Sequence, residues 1–231
     1  LEFRRVLFRS ERYQGLGVDV QIGRAKIIDP WHVQVTSASG EVSTLSTRSI
    51  VIATGARPFV PPLPGLEDVG YLTSDTLWGL RELPRRLLVL GGGPIGCELA
   101  QAFARLGSQV TLVQRAPRLL PREDEDVSAA VRDALQADGV VVLTGAQALR
   151  CERVGDDRQL RVAQAGHEQA LGFDLLLCAV GRQPRLKGMG LEALGIDTDQ
   201  PLATNTYLQT LCPNIYAAGD VTGLHTHTHA A

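Results

Sequence analysis

Apolar residues run without interruption from Leu87 to Leu90 and are followed at once by Gly91-Gly92-Gly93-Pro94-Ile95-Gly96. A short apolar run bounded by glycine reads as a buried strand. Beyond the glycines, Ile95, Leu99, Ala102, Phe103 and Leu106 recur at helical spacing, and Gly107 stands where a C-terminal cap belongs. Gln109 to Val113 returns to strand character, so the segment predicts a strand, a turn, a helix and a second strand. Val127, Val131 and Leu135 predict a further helix, with Glu123 to Asp126 at its start. Carboxylates there are favoured by the helix dipole, and they read as a helix N-terminus rather than a metal site.

The pattern repeats. Ala53, Gly55 and Pro58 match Ala179, Gly181 and Pro184 at a separation of 126 residues, and Gly17, Val18 and Gly23 match Gly139, Val140 and Gly145 at 122. Each copy predicts an opening strand, Val18 to Ile22 or Val140 to Leu143, then a β-meander with turns at Asp29-Pro30, Ser39-Gly40 and Gly155-Asp156-Asp157. Each closes on an apolar strand ending in glycine. Two α/β halves of a dinucleotide-binding domain result. The second copy carries its other half in front, from Arg85 to Gly139, whereas the same offset puts the first copy's glycine turn ahead of Leu1. The first copy is therefore expected to lack its opening βα unit. The core is expected to include Val51, Leu88, Leu90, Ile95, Leu99, Phe103, Leu112, Val131, Leu135, Leu176 and Ile215.

Composition narrows the classes. The 231 residues are 44% hydrophobic, and 23 Lys+Arg oppose 25 Asp+Glu with no long like-charge block, which speaks against disorder and against a nucleic-acid footprint. Leu87 to Ala104 is broken by Glu98 and Gln101 and is too short for a membrane span. Small-molecule cofactors are the expected partners. Leu1 to Ser10, LEFRRVLFRS, has no signal-peptide core and resembles translated sequencing adapter, an assembly scar left out of fold reasoning. Cys97, Cys151, Cys178 and Cys212 are scattered without C-x-x-C spacing and read as reduced thiols of a cytoplasmic protein.

G-x-G-x-x-G between a strand and a helix is a phosphate seat. Gly91 makes the tight turn, Gly93 lets a pyrophosphate approach backbone, and Gly96 lets helix and strand pack closely. Pro94 and Ile95 open the helix, where unpaired N–H groups favour an anion. The plainer alternative is a structural glycine turn. About twenty residues on, an NAD site usually places an acid on the ribose, and here Gln114-Arg115 stands instead. A neutral side chain spares a 2′-phosphate from repulsion, while Arg115 and Arg118 offer guanidinium contacts. NADP is favoured, with NAD possible. A solvated loop arginine is the competing reading of Arg115.

Ala53-Thr54-Gly55 after a strand, the glycine turn with Glu98, and Asn214-Ile215-Tyr216-Ala217-Ala218-Gly219-Asp220 together resemble the pyridine nucleotide-disulfide oxidoreductases, the group of glutathione reductase, dihydrolipoamide dehydrogenase and mercuric reductase. The likeness covers about residues 13 to 231. It implies two Rossmann-like FAD/NAD(P)-binding domains of glutathione reductase type, each with a β-meander, the FAD domain truncated at its N-terminus. Residues 11–66 and 186–231 would be pieces of the FAD domain, and 67–185 the NAD(P) domain.

The resemblance also assigns roles. Asp220, with Gly219, would hold the flavin's ribityl chain, an assignment for which a simple helix cap is the alternative. Ala53, Thr54 and Gly55 would lie beside FAD, Gly181 and Arg182 at the edge of the pyridine nucleotide site, and Glu98 toward the nicotinamide. Arg185 stands where the family usually has Asn. Leu119 to Asp124 resembles the mercuric type. Family members pass a hydride from nicotinamide to flavin and then electrons to a disulfide or metal ion. No C-x-x-x-x-C exists here, and neither does the family's His-Glu pair, so no catalytic residue is expected in this chain beyond a supporting Glu98. The parent is implied to dimerise through a domain not in this sequence. A stand-alone nucleotide-binding module and a piece of a thiol-free or single-cysteine NAD(P)H oxidase stay open as alternatives. His225, His227 and His229 are expected to precede a helix whose first turn is Thr228 to Ala231.

Overall fold

The computed structural model describes residues 10–223, so the expectations for residues 1–9 and for the histidines after Gly223 lie outside the described residues. The chain forms two compact units, one of residues 57–183 and one of the segments before and after it. In the flanking unit, β1 (Arg24–Asp29), β2 (His32–Thr36) and β3 (Val42–Ser46) form an antiparallel meander, followed by β4 (Ile50–Ile52) and β5 (Ala56–Pro58). Asp29 makes the first turn by accepting the Trp31 N–H through its carboxylate at 2.7 Å.

Residues 57–183 carry a short helix (Leu66–Val69), β6 (Leu72–Thr73), β7 (Arg86–Leu90), α1 (Pro94–Arg105), β8 (Gln109–Val113), α2 (Glu125–Ala137) and β9 (Val141–Leu143). A second antiparallel meander follows, β10 (Ala146–Val154), β11 (Asp157–Gln164) and β12 (His167–Phe173), and then β13 (Leu175–Cys178). The parallel sheet has the order β6-β13-β7-β8-β9. β14 (Arg182–Pro184) pairs with β5, and β15 (Ile215–Ala217) runs parallel to β4 in the flanking unit.

Alternation along β7 decides how the parallel sheet is covered. Leu88 and Leu90 join Leu160, Val162 and Phe173 of the meander, while Leu87 and Val89 join Cys97 and Ala100 of α1 and Leu135 of α2. Both faces are buried, which is why β7 and β13 read as continuous apolar runs. The break between units falls at Ala56 rather than at the expected residue 66, because the intervening segment packs on the second meander. Cys151 N–H donates to Pro64 C=O at 2.8 Å, and Gly65 lies so close to Cys151 that a Cβ would collide with its carbonyl oxygen.

Three expectations need correction. Val18 to Ile22 forms no strand. Its counterpart β9 is held by β8, and among the described residues nothing equivalent to β8 stands beside Val18. Val51 is 64% exposed, since β4 turns Ile50 and Ile52 to the core and Val51 away from it. The helix face is also rotated: Gly96, Cys97 and Ala100 are the buried residues of α1, Ile95 is half-buried, and Ala102 and Leu106 are exposed. Small residues face the sheet because the helix approaches it closely.

Candidate functional site

Three loops meet at the carboxyl edge of neighbouring parallel strands. Gly91–Gly96 leaves β7, Gln114–Arg118 leaves β8 and Ala179–Arg182 leaves β13. This is the point in the sheet order where the connections change direction, the usual ligand crevice of an open α/β sheet. Gly91 has φ 111°, and a Cβ on it would collide with the Ala179 carbonyl oxygen. A Cβ on Gly96 would strike the Gly91 carbonyl oxygen, so both glycines are required by close backbone packing. Gly93 differs: a Cβ there would meet nothing within 4 Å. Its surroundings are open on the side where a pyrophosphate would lie.

The donor set fits such an anion. The first helical bond runs from Cys97 N–H to Gly93 C=O at 3.0 Å, so the N–H groups of Gly93, Ile95 and Gly96 precede any helical acceptor. Pro94 occupies the first position of α1, where its missing N–H costs nothing. Cys97 donates its thiol to Gly92 C=O at 3.6 Å, and burial, with a smaller contribution from Glu98, pushes the thiol up to about 11. It stays a neutral packing group at neutral pH. Glu98 is exposed on the outer side of α1.

Gln114 is half-buried and turned inward, its Oε1 accepting the Gly92 N–H at 3.1 Å. Arg115 beside it is exposed, with no hydrogen-bond or ion-pair partner among the described residues. Arg118 is half-buried and donates through Nη2 to Pro121 C=O at 3.3 Å. Arg182 is half-buried on the β13 side, with Nη1 3.5 Å from Ser74 Oγ and 3.9 Å from Asp75 Oδ1. Gly92, Leu120 and Ala179 take part in shaping the site through backbone atoms. Sequence reading missed them because a backbone contact leaves no residue-type signal.

The flanking unit repeats the edge on a smaller scale. β15 pairs with β4 through Ile215↔Ile50, Tyr216↔Val51 and Ala217↔Ile52, and Ala218 N–H donates to Ile52 C=O at 3.0 Å. This register brings Gly219-Asp220 beside Ala53-Thr54-Gly55 at the ends of two parallel strands. Asp220 is half-buried within a single 3-10 turn, Gly219–Thr222. Thr54 Oγ1 donates to Arg185 C=O at 2.8 Å, and Arg185 N–H donates to Gly55 C=O at 3.0 Å. In the other copy Phe59 N–H donates to Gly181 C=O at 2.9 Å. Each glycine thus accepts from a residue in the other copy's following segment, a reciprocity that parallels the sequence repeat. Arg185 serves here through its main chain, so the unusual side chain leaves this contact intact. Among the described residues the flanking unit has no glycine-rich strand-to-helix turn of its own.

Known proteins share this arrangement. The family model described as pyridine nucleotide-disulphide oxidoreductase matches residues 8–231. The chain is 39% identical over 220 residues to the mercuric reductase of Staphylococcus aureus, covering 93% of this chain and 39% of that protein. It is 38% identical to the dihydrolipoyl dehydrogenase of Thermus scotoductus, covering 90% and 45% respectively. Among solved structures, the HOCl-induced flavoprotein disulfide reductase RclA of Escherichia coli aligns with a TM-score of 0.82 at 34% identity, over 92% of this chain and 48% of that one. LpdA of Mycobacterium tuberculosis aligns at 0.85 and 30% identity, over 96% and 50%. The chain therefore spans about half or less of the length of these relatives. With its glycine turn, its Ala-Thr-Gly strand end and its Gly-Asp return, the chain belongs to the pyridine nucleotide-disulfide oxidoreductase family.

Proposed function

We propose that residues 57–183 bind NADP(H), and that the flanking unit carries part of the FAD site of a longer NAD(P)H-dependent flavoprotein reductase. The observation that carries this reading is the open approach to Gly93, lined by helix-start N–H groups at the crevice of a parallel sheet. Gly93, Ile95 and Gly96 would receive the pyrophosphate on backbone N–H groups, and Gly91 and Pro94 would shape the turn. Preference for the 2′-phosphate is supported by neutral Gln114 and by the exposed Arg115, with Arg118 next along the loop. Glu98, Gly181 and Arg182 would border the nicotinamide half.

In the flanking unit Ala53, Thr54, Gly55, Gly219 and Asp220 would contact the flavin, with Asp220 accepting polyol hydroxyls. When bound, the nicotinamide supplies a hydride that the flavin accepts, and the relatives' names point to a disulfide or mercuric ion as final acceptor. The parent would be a homodimer, as the resemblance implies, and cytoplasmic, as the scattered cysteines without C-x-x-C spacing suggest. Among the described residues no helix is long and apolar enough to cross a membrane. This chain has neither a C-x-x-x-x-C pair to receive electrons nor a second glycine turn to seat the FAD pyrophosphate, so by itself it would bind nucleotide without turnover.

Titration of the purified chain with NADPH and NADH, followed by nucleotide fluorescence, tests the reading. Saturable binding with NADPH tighter than NADH is expected, together with little FAD after purification. Failure to bind either nucleotide, or stoichiometric retention of FAD, would overturn it.

A further inference from the structure

Gln114 directly follows β8, with both ends of its side chain engaged. Oε1 accepts the Gly92 N–H at 3.1 Å, and Nε2 donates to the Arg118 C=O at 3.4 Å. A main-chain N–H only donates and a carbonyl only accepts, so the amide has a single orientation here, and the two contacts together call for a carboxamide. The loop after β8 also grips the turn directly, since Leu120 N–H donates to Gly92 C=O at 2.8 Å. Leu120 holds φ 43°, a left-handed conformation that leucine rarely adopts. Ser128 Oγ, from α2, fixes the preceding carbonyl by donating to Leu119 C=O at 2.7 Å. Gly92 fits between these groups without a side chain: a Cβ would lie 2.6 Å from Leu119 Cδ2 and 3.1 Å from Gln114 Cβ.

Both polar groups of Gly92 are thus fastened to the loop of Arg115 and Arg118, one through Leu120 and the other through Gln114. We propose that Gln114 is a positioning residue that clasps the glycine turn to the arginine loop, setting the spacing between the pyrophosphate seat and the 2′-phosphate contact. The selectivity part of this inference rests on the NADP reading above; the clasp does not. Gln114 then does more than spare the 2′-phosphate from a carboxylate's repulsion. Because its amide faces Gly92 and Arg118, it acts on the ligand through the loop and not by touching the ribose.

Calorimetric titration of the full chain with 2′,5′-ADP and with 5′-AMP, combined with NMR amide exchange in the ligand-free protein, tests the clasp. Gln114→Met keeps the chain length and removes both hydrogen bonds. It is expected to weaken 2′,5′-ADP about tenfold, the loss of a hydrogen bond's net contribution, while 5′-AMP changes far less. Exchange of the Gly92 and Leu120 amides should quicken in parallel. Gln114→Leu removes the same two hydrogen bonds with a shorter apolar side chain and no added charge, so it provides a second variant if the methionine protein does not fold. Unchanged exchange of the two amides in the variants would overturn the clasp. Faster exchange with an unchanged ratio of the two affinities would overturn its link to selectivity. A wild-type chain that binds 2′,5′-ADP no better than 5′-AMP would defeat the NADP reading, and amide exchange would then judge the clasp alone.

Discussion

Val51 and Leu177 occupy the same place in the two copies of the repeat, in β4 and β13, the strands that precede Gly55 and Gly181. Leu177 is fully buried, packed with Cys97 and Ala100 of α1, whereas Val51 is 64% exposed. The two strands have similar apolar sequences, and both turn the neighbouring residues, Ile50 and Ile52 or Leu176 and Cys178, toward a core. What separates them, among the described residues, is the layer of α1 and α2 that lies over Leu177 and has no counterpart over Val51. A strand residue is a core residue only when a layer exists on its side of the sheet, and the duplication supplies each copy as a control for the other.

Leu177→Ala against Val51→Ala sharpens that contrast most. The first should cost about 2–5 kcal/mol by leaving a cavity under α1, and the second should stay within about 0.5 kcal/mol as a surface change. Urea unfolding of the two variants measures both, and equal losses would mean that Val51 is covered in solution. Gly96→Ala comes next: its methyl would run into the Gly91 carbonyl, costing about 1–3 kcal/mol and abolishing nucleotide binding, while Gly93→Ala should leave stability nearly unchanged.

Acid should act on the unit of residues 57–183 through Arg86, which bonds Asp174 Oδ1 through Nη2 at 2.6 Å and Asp157 Oδ1 at 2.7 Å. Hydrogen bonds from Arg86 hold both carboxyls below the usual carboxylate range. Depressed folded-state pKa values mean that the clamp contributes fully above the unfolded value, about 4, and is lost as pH falls through the folded values. Arg86→Met should therefore lower Tm at pH 7, and the gap to the wild type should begin to close near pH 4 and vanish only once pH has fallen through the depressed folded values of Asp157 and Asp174. A constant gap across that range would show that Arg86 acts through packing alone.

Thiol labelling gives the smallest effect. Burial pushes Cys97 and Cys151 up to about 11 and Cys178 to about 12, whereas Cys212 in the flanking unit is only half-buried. Iodoacetamide at pH 8, followed by peptide mass spectrometry, should modify Cys212 first. Early labelling of Cys178 would show that the parallel sheet opens more readily than its packing implies.

Much of the parallel-sheet unit is legible in the residues. A continuous apolar strand, glycines at fixed offsets and a helical period each leave a local signal, and β7, α1 and β8 lie where those signals point. The strand expected at Val18 to Ile22 fails for the opposite reason, since a ladder needs a partner and the partner is not encoded in the strand itself. Helix phase was legible only to within a fraction of a turn. The glycine Gly96 and the small residues Cys97 and Ala100 set the contact face, and an apolar count ranks them below Leu106.

Motif spacing and the internal repeat determine the family and point to the glycine turn and to the candidate contacts at Arg115, Thr54 and Asp220. The tertiary structure decided how those residues are used. It turned Gln114 from an open ribose position into the partner of Gly92 and Arg118, made Arg185 a main-chain donor to Gly55, and left Val51 in solvent. Residue type fixes what a group can donate or accept, but its partner is set by distances between segments far apart in the chain, which exist only once the sheet has assembled.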